Sequence, residues 1–230
     1  MNTIINPNVS VDCVVFAYSN KQLKVLLVKE KAFTNTCPQQ LALPGDLVSE
    51  DESLDDTAKK ILFDLTKINS IYIKQFHTFG NANRVRFLKD KESKRAVRKK
   101  PETRLITVAY FALVKSEDYQ PLPSSFAGET QWIPIDEIPI LAFDHNEILN
   151  KAHNYLKDEL IDKQMGFELL PEKFTLTELQ NLYETILNIK YDKRNFRKNI
   201  KGKPYLKELK EKVKGLAHRP ANLYIYVNNK

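Results

Sequence analysis

PGDLVSEDESLDDTAKKILFDLTKI, residues 44–68, is the stretch of this chain that decides its fold. Pro44-Gly45 is a turn signal, and an acidic segment follows it. Beyond Ser53, apolar residues recur at helical spacing, with Ile61 and Leu65 one turn apart. Ser53 suits an N-cap, and the acids after it suit the positive end of a helix. The stretch therefore predicts a turn, an acidic loop and a helix over residues 53–67.

Strand-like segments lie on both sides of this helix. Residues 11–18 and 23–29 are rich in Val and Leu and are separated by a short polar segment, which predicts a hairpin. Further strands are predicted at residues 71–79, 104–114 and 131–135, and a second helix at 146–161. This order of elements predicts an α/β domain with a mixed sheet.

The region after Gly166 has a different character. Thr175 with Glu178 forms the pattern of a capping box, which predicts a helix beginning there. Asp192 suits the N-cap of a second, short helix over residues 193–201, in which only Phe196 and Ile200 are apolar. The other faces of that helix carry Lys193, Arg194, Asn195, Arg197, Lys198 and Lys201.

Such a helix carries the types of side chain that DNA-binding helices use. Arg and Asn read base edges in the major groove, and Lys and Arg neutralise phosphates. A small helical subdomain with a solvated, lysine-rich face is the alternative interpretation.

The C-terminal tail fits a wing. HRPAN precedes a clear strand, LYIYV, so His218 and Arg219 would lie at a hairpin tip near a phosphate backbone. The partner strand would span residues 205–213, where the apolar residues also fit helical spacing.

Charge and composition narrow the class of protein. The chain has 230 residues and a net charge of +7, with ten basic and three acidic residues between positions 84 and 104. Residues 166–230 are also basic. These two parts point mildly to contact with a polyanion, whereas composition alone favours a solvated, lysine-rich surface. The sequence shows no apolar run long enough to cross a membrane, no secretory signal, two cysteines and no Cys/His metal spacing. We therefore expect a reduced, cytoplasmic protein with no metal, no cofactor and no membrane contact.

The opening stretch resembles the Nudix box, G-x5-E-x7-R-E-U-x-E-E-x-G-U, where U is apolar. Glu52 matches the first glutamate and Lys60 replaces the arginine. Of the helical glutamates, one becomes Asp64, whereas Ile61 and Leu65 replace the others. In Nudix hydrolases those carboxylates bind the divalent cations that clamp a diphosphate and activate water. The resemblance thus implies the Nudix fold without its hydrolysis, and no catalytic residue is assigned.

A degenerate Nudix box followed by a winged helix-turn-helix resembles the Nudix-related transcriptional regulators. The resemblance implies a Nudix-like α/β/α sandwich with a mixed sheet over residues 1–160 and a winged helix-turn-helix domain over 161–230. It also implies a homodimer on a palindromic double-stranded DNA operator, usually as a repressor. The Nudix-like domain would sense a sugar or an ADP-ribose-type metabolite, in the control of sugar or NAD-related metabolism.

An effector pocket for such a ligand needs an aromatic wall and a few convergent polar groups. Each candidate also has an ordinary structural interpretation, as a core residue or, for Asp144, as a helix cap. The candidates are Phe16, Gly45, Glu52, Phe79, Arg104, Trp132, Asp144 and His145.

Two other functions stay open at this point. One is a Mg²⁺-dependent Nudix hydrolase of nucleoside diphosphate derivatives, since Glu52 and Asp64 persist. The other is an RNA-associated protein that uses the basic residues 84–103, although alternating aromatic residues for base stacking are lacking there.

Overall fold

The computed structural model describes residues 5–30, 40–67, 71–82, 84, 104–115, 127–162, 166–212 and 220–227. The basic segment 85–103 and the residues His218 and Arg219 lie outside these ranges, so the predictions made for them concern residues that the structure does not describe.

The first domain is built on one mixed sheet. Its strands are β1 (Ile5–Ser19), β2 (Gln22–Glu30), β3 (Leu41–Ala42), β4 (Gly45–Ser49), β5 (Tyr72–Phe79), β6 (Ile106–Lys115) and β7 (Ala127–Pro134). The path runs β3-β2-β1-β6-β5, with β4 paired to β1 and β7 paired to β2. The β1–β6 pair is parallel and the other pairs are antiparallel, as the mixed-sheet prediction requires.

A helix covers each face of this sheet. Helix α1 (Leu54–Thr66) buries Ile61, Leu62 and Leu65 against one face. Helix α2 (His145–Asp162) buries Ile148, Ala152 and Leu156 against the other. The α/β/α sandwich predicted from the sequence is confirmed.

The caps and turns follow the local sequence. The Ser53 side chain caps α1, as predicted, by accepting a hydrogen bond from the Asp56 amide. Lys67 ends α1 in the left-handed conformation, at the position where the Nudix box has glycine. Asn20 and Lys21 both have positive φ, which is the type I′ geometry of a two-residue hairpin turn.

The second domain is a winged helix. Its elements are β8 (Phe174–Thr175), α3 (Leu176–Leu187), α4 (Lys193–Ile200), β9 (Leu206–Lys212) and β10 (Asn222–Tyr226). The three strands form an antiparallel sheet in the order β8-β10-β9. Residues 206–212 are a strand, so the helical alternative for that segment is wrong and the wing's partner strand is confirmed.

Several boundaries differ from those predicted. Strand β1 begins at Ile5 rather than at residue 11, and Gly45–Ser49, predicted as a turn and an acidic loop, form β4 because they pair with β1. Strand β7 begins earlier than residue 131, and Ile135 starts a short 3-10 helix (Ile135–Glu137) rather than ending the strand. Arg104 precedes β6 instead of opening it. Helix α2 runs past residue 160, where the domain boundary was predicted, and that boundary stays a prediction.

The two domains share one continuous core. The apolar cluster beneath α2 extends from Phe16 and Phe111 of the sheet to Phe174 and Leu182 of the winged domain. A second 3-10 helix (Phe167–Leu169) joins them, and Phe167 stacks on Tyr226 with ring centroids 4.4 Å apart. Because these side chains are common to both domains, the winged domain is packed onto the sheet rather than tethered by a linker.

Candidate functional site

Helix α4 presents a basic face to solvent. Asp192 caps it by accepting a hydrogen bond from the Asn195 amide, 2.8 Å away. Phe196 and Ile200 are buried, and the Phe196 ring lies 5.4 Å from that of Tyr191. The six side chains predicted to bind DNA on this helix are all exposed: Lys193, Arg194, Asn195, Arg197, Lys198 and Lys201.

The side chains of this basic face differ in their hydrogen bonds and ion pairs with the rest of the protein. Arg197 Nη2 donates to Thr177 Oγ1 at 3.3 Å, which ties it to the first turn of α3. Lys201 lies 3.8 Å from Glu208 on β9. Lys193, Arg194 and Lys198 form no ion pair with another described residue, so their charges are available to a polyanion.

The turn between α3 and α4 is fixed by one carboxylate. Glu184 accepts hydrogen bonds from Gln180 Nε2 at 2.9 Å, from the Tyr191 amide at 3.0 Å and from Lys190 Nζ at 3.3 Å. Gln180 also donates to the Tyr191 carbonyl. The hydrogen bonds from Gln180 and Tyr191, together with Lys190, lower the pKa of Glu184. The direction in which α4 leaves α3 is therefore set by a local hydrogen-bond network.

Two of the helical Nudix-box positions that would bind metal are apolar and buried. Ile61 and Leu65 point into the core beneath α1. Glu52 pairs with Lys60 at 2.7 Å and accepts from Thr57, and the Lys60 hydrogen bond lowers its pKa. Asp64 lies 3.9 Å from Lys67. Within the described ranges, no group of three His, Cys, Asp or Glu side chains is close enough to hold a metal ion.

A buried ionic cluster lies where β1, β4 and the start of α2 meet. Arg84 donates to both carboxylate oxygens of Asp144 at 2.7 Å and approaches Asp12 Oδ2 at 3.7 Å. The Leu43 amide donates to His145 Nδ1 at 2.9 Å, so a neutral ring carries its proton on Nε2, 3.7 Å from Asp12 Oδ1. Burial opposes the charge on Arg84, but the two carboxylates outweigh it and raise its pKa.

Gly45 belongs to the same cluster. It pairs with Asp12 across the β1–β4 ladder, and a Cβ at this position would overlap the Asp12 carboxylate. The glycine is therefore required by a close approach of backbone to side chain.

Two models of known families match this chain. The NUDIX domain model matches residues 6–153, and the model of the NrtR DNA-binding winged helix domain matches residues 166–226. The chain belongs to the NrtR family of Nudix-related transcriptional regulators.

The relatives of this NrtR-family chain are similar over nearly its whole length. It is 31% identical over 225 residues to the ADPR responsive transcriptional repressor NtrR of Acinetobacter baylyi, covering 95% of this chain and 82% of that protein. It is 30% identical to Shewanella oneidensis NrtR in a crystal structure with a 27mer DNA, with a TM-score of 0.72 and coverage of 95% and 93%. A MutT/nudix family protein from Enterococcus faecalis, 24% identical with a TM-score of 0.74 over 99% of this chain and 89% of the other, shares the fold.

The effector candidates lie on both faces of the sheet. Phe16 is completely buried and Phe79 almost so, both in the core beneath α2, and their role in an effector pocket stays a prediction. Arg104 donates to the Gly80 carbonyl and joins the segments on either side of residues 85–103. Gly45, Asp144 and His145 are brought together, but as parts of the buried cluster.

Trp132 lies on the other side of the sheet, half-buried against the core beneath α1. Phe143 packs against the same core, and its ring is 5.1 Å from that of His145. These two aromatic side chains therefore lie on the α1 side of the sheet, and Phe143 also contacts the buried cluster.

Sequence reasoning missed Asp12 and Arg84. Asp12 is a single carboxylate inside the apolar run VDCVV, and that isolation is the signal that could have identified it as a buried, partnered acid. Arg84 was grouped with the exposed basic segment, although it is buried. Of the helices that the structure describes, none is long and apolar enough to span a membrane.

Proposed function

We propose that this chain is a transcriptional repressor that binds operator DNA through α4 and the wing and releases it in response to ADP-ribose. The observation that carries this proposal is the exposed basic face of α4, held in fixed orientation on a winged helix. A second helix of this kind places its N-terminal residues in the major groove.

The DNA contacts follow from which side chains are exposed. Lys193, Arg194 and Asn195 open α4, the part of a recognition helix that reaches base edges. Arg197, Lys198 and Lys201 lie further along the helix, and with His218 and Arg219 of the wing they would neutralise phosphates. Two copies in a homodimer would address the two halves of a palindromic operator. The DNA-bound Shewanella oneidensis relative supports this proposal.

ADP-ribose is the proposed effector because the Acinetobacter baylyi relative is named as ADPR responsive. We place the effector beside Trp132 and Phe143, since aromatic faces stack on nucleobases and sugars. Gly45, Asp144 and His145 would support this wall through the buried cluster, while Glu52 and Arg104 would lie at its polar rim. Control of sugar or NAD-related genes, in the cytoplasm, is part of the same proposal.

Sensing rather than hydrolysis is proposed for the Nudix-like domain. Ile61 and Leu65 lack the oxygen ligands that Mg²⁺ requires. Asp64 alone would then be left of the helical carboxylates, and Glu52 is paired with Lys60.

The test of DNA binding is fluorescence anisotropy of the full chain on DNA from upstream of its own and adjacent genes, across a range of salt. Arg194→Ala should weaken specific binding by about 1–3 kcal/mol if it reads a base, or lower the salt slope by roughly 0.9 if it contacts a phosphate. Lys151→Ala, which removes an exposed charge from α2, is the matched control. Unchanged operator binding by the variant Arg194→Ala combined with Lys198→Ala would contradict the proposal.

The test of sensing adds ADP-ribose to the preformed complex. Trp132→Ala should bind DNA like the parent chain but need roughly tenfold more ADP-ribose for release, because stacking is worth about 1–3 kcal/mol. Turnover of ADP-ribose with Mg²⁺ that is abolished by Asp64→Asn would instead favour the hydrolase.

A further inference from the structure

A cleft opens at the surface between the two domains, on the α2 side of the molecule. Its walls come from the β1–β2 turn, the 3-10 helix Ile135–Glu137, α2, and α3 with the turn that follows it. Its volume is about 610 Å³. That size lies within the range of small-molecule sites, which is about 300–1,000 Å³. The effector site proposed above lies on the opposite side of the sheet.

Three ammonium groups line this cleft, each from a different wall. They belong to Lys21 on the turn, Lys157 on α2 and Lys190 after α3. Lys190 is 91% exposed and pairs with Glu184. Lys21 and Lys157 form no ion pair with any residue that the structure describes. Two cations are thus available to an anion that enters the cleft.

Lys21 occupies a position that disfavours lysine. It is the second central residue of the type I′ turn, with φ at 60°, where glycine is the preferred residue. Its carbonyl accepts a hydrogen bond from Thr185 Oγ1 on α3 at 3.3 Å, so the turn is held against the winged domain. A glycine could supply that carbonyl equally well. A side chain at this position strains the backbone, and a role of the ammonium group in ligand binding would explain why that strain is kept.

Amide groups supply the second kind of contact. Asn150, Asn181 and Asn188 line the cleft, and none of their side chains is hydrogen-bonded to another described residue. An amide both donates and accepts, which suits hydroxyl groups. The exposed carboxylate of Asp136 adds an acceptor, and Ile189, an exposed apolar side chain, offers a surface for the carbon face of a ring.

We propose that this cleft is a second ligand site, for a small sugar phosphate. Its phosphate would be bound by Lys21 and Lys157, and its hydroxyl groups by the three asparagine amides. A ligand in this position contacts both domains and would fix α3 relative to the sheet. The site does not depend on the DNA-binding or ADP-ribose proposals, because it rests on other residues.

The experiment is calorimetric titration of the full chain with glucose 6-phosphate, glucose and inorganic phosphate. Saturable binding of glucose 6-phosphate is expected, with weaker binding of inorganic phosphate and none of glucose. Lys157→Gln should weaken glucose 6-phosphate binding at least roughly tenfold, because a charge-assisted hydrogen bond is lost. Lys151→Gln, on the exposed side of the same helix, should leave it unchanged.

Lys21→Gly separates a ligand role from a structural one. Removing the side chain relieves the left-handed backbone, so the melting temperature should rise or stay the same while glucose 6-phosphate binding weakens. A variant that binds as tightly as the parent chain would overturn the role of Lys21 and with it the site.

Three other outcomes would overturn the proposal. They are the absence of saturable glucose 6-phosphate binding, equal binding of inorganic phosphate, and full displacement of glucose 6-phosphate by ADP-ribose. Each can be observed without DNA, so failure here is distinguishable from failure of the proposed repressor function.

Discussion

Arg84 shows how much one residue with a buried charge can contribute to the stability of the fold. Its guanidinium is inside the molecule, between Asp12 and Asp144. A buried pair is costly to break from one side, because the remaining carboxylates lose their counter-charge but stay out of water. We expect Arg84→Ala to lower the free energy of unfolding by about 3–5 kcal/mol, measured by urea denaturation.

Arg104 is the matched control for this prediction. It is exposed and, among the described residues, donates only to the Gly80 carbonyl, so Arg104→Ala should cost less than about 1 kcal/mol. Equal losses in the two variants would show that the buried cluster does not stabilise the fold.

The buried cluster also shows which roles of single residues can be predicted from the sequence and which cannot. Ser53, Thr175 and Asp192 were all predicted as caps, because a cap is decided within four residues. The partners of Asp12 lie far along the chain, and Arg84 stands at the edge of a basic segment, where a solvated side chain is the ordinary expectation. Trp132 was predicted as a pocket wall, and that role stays a proposal.

Elements whose contacts are local were predicted well. The α3–α4 unit was predicted nearly to its ends, because its capping box, its N-cap and the pair Phe196 and Ile200 are all short-range signals. Strand β9 left two possibilities open, because LKELKEK has few apolar residues and its pairing with β10 is decided by the rest of the sheet. The parallel pairing of β1 with β6 could not be predicted from the sequence, since its partners, such as Val9 and Ile106, lie about a hundred residues apart.

The connection between α3 and α4 can be tested as an element. Glu184→Ala removes the acceptor for the Tyr191 amide and the Gln180 side chain, both partly buried. We expect the free energy of unfolding to fall by about 1–3 kcal/mol, and operator affinity to fall further than stability alone explains because α4 loses its fixed direction. Urea denaturation and DNA anisotropy measure the two effects.

Glu129→Ala provides the comparison for Glu184→Ala. It removes a surface pair with Lys29 that is 3.4 Å long and solvated, which is worth less than about 1 kcal/mol. If Glu184→Ala behaved like this control in both measurements, the network would not position α4.

At the scale of the whole molecule, the sequence predicted which domains follow one another but not how they touch. The composition change after Gly166 separates them, yet the shared core makes them one packed body. Aromatic residues that look local to the winged domain, Phe167 and Phe174, are buried in the same cluster as Phe16 and Phe111 of the sheet. The two domains therefore pack through side chains that belong to one core.

His153 gives this domain contact a dependence on pH. It lies on α2, against the Ile186 backbone of α3, and burial followed by the charge of Lys157 lowers its pKa from 6.5 to about 4. A depressed histidine pKa means that the unfolded chain takes up a proton before the folded chain does. The folded state is therefore unaffected above pH 6.5 and loses stability as the pH falls from 6.5 towards 4.

The size of the expected loss of unfolding free energy follows from the pKa difference. One pKa unit corresponds to about 1.4 kcal/mol, and partial exposure of the imidazole reduces the effect, so we expect about 1–2 kcal/mol across this range. Carboxylates also titrate there, so the measurement is the difference in unfolding free energy between the parent chain and His153→Gln as a function of pH. Below pH 6.5 the variant should lose less unfolding free energy than the parent chain, because glutamine takes up no proton. Parallel curves for the two chains would show that His153 is not held in its neutral form by the packing of α2 against α3.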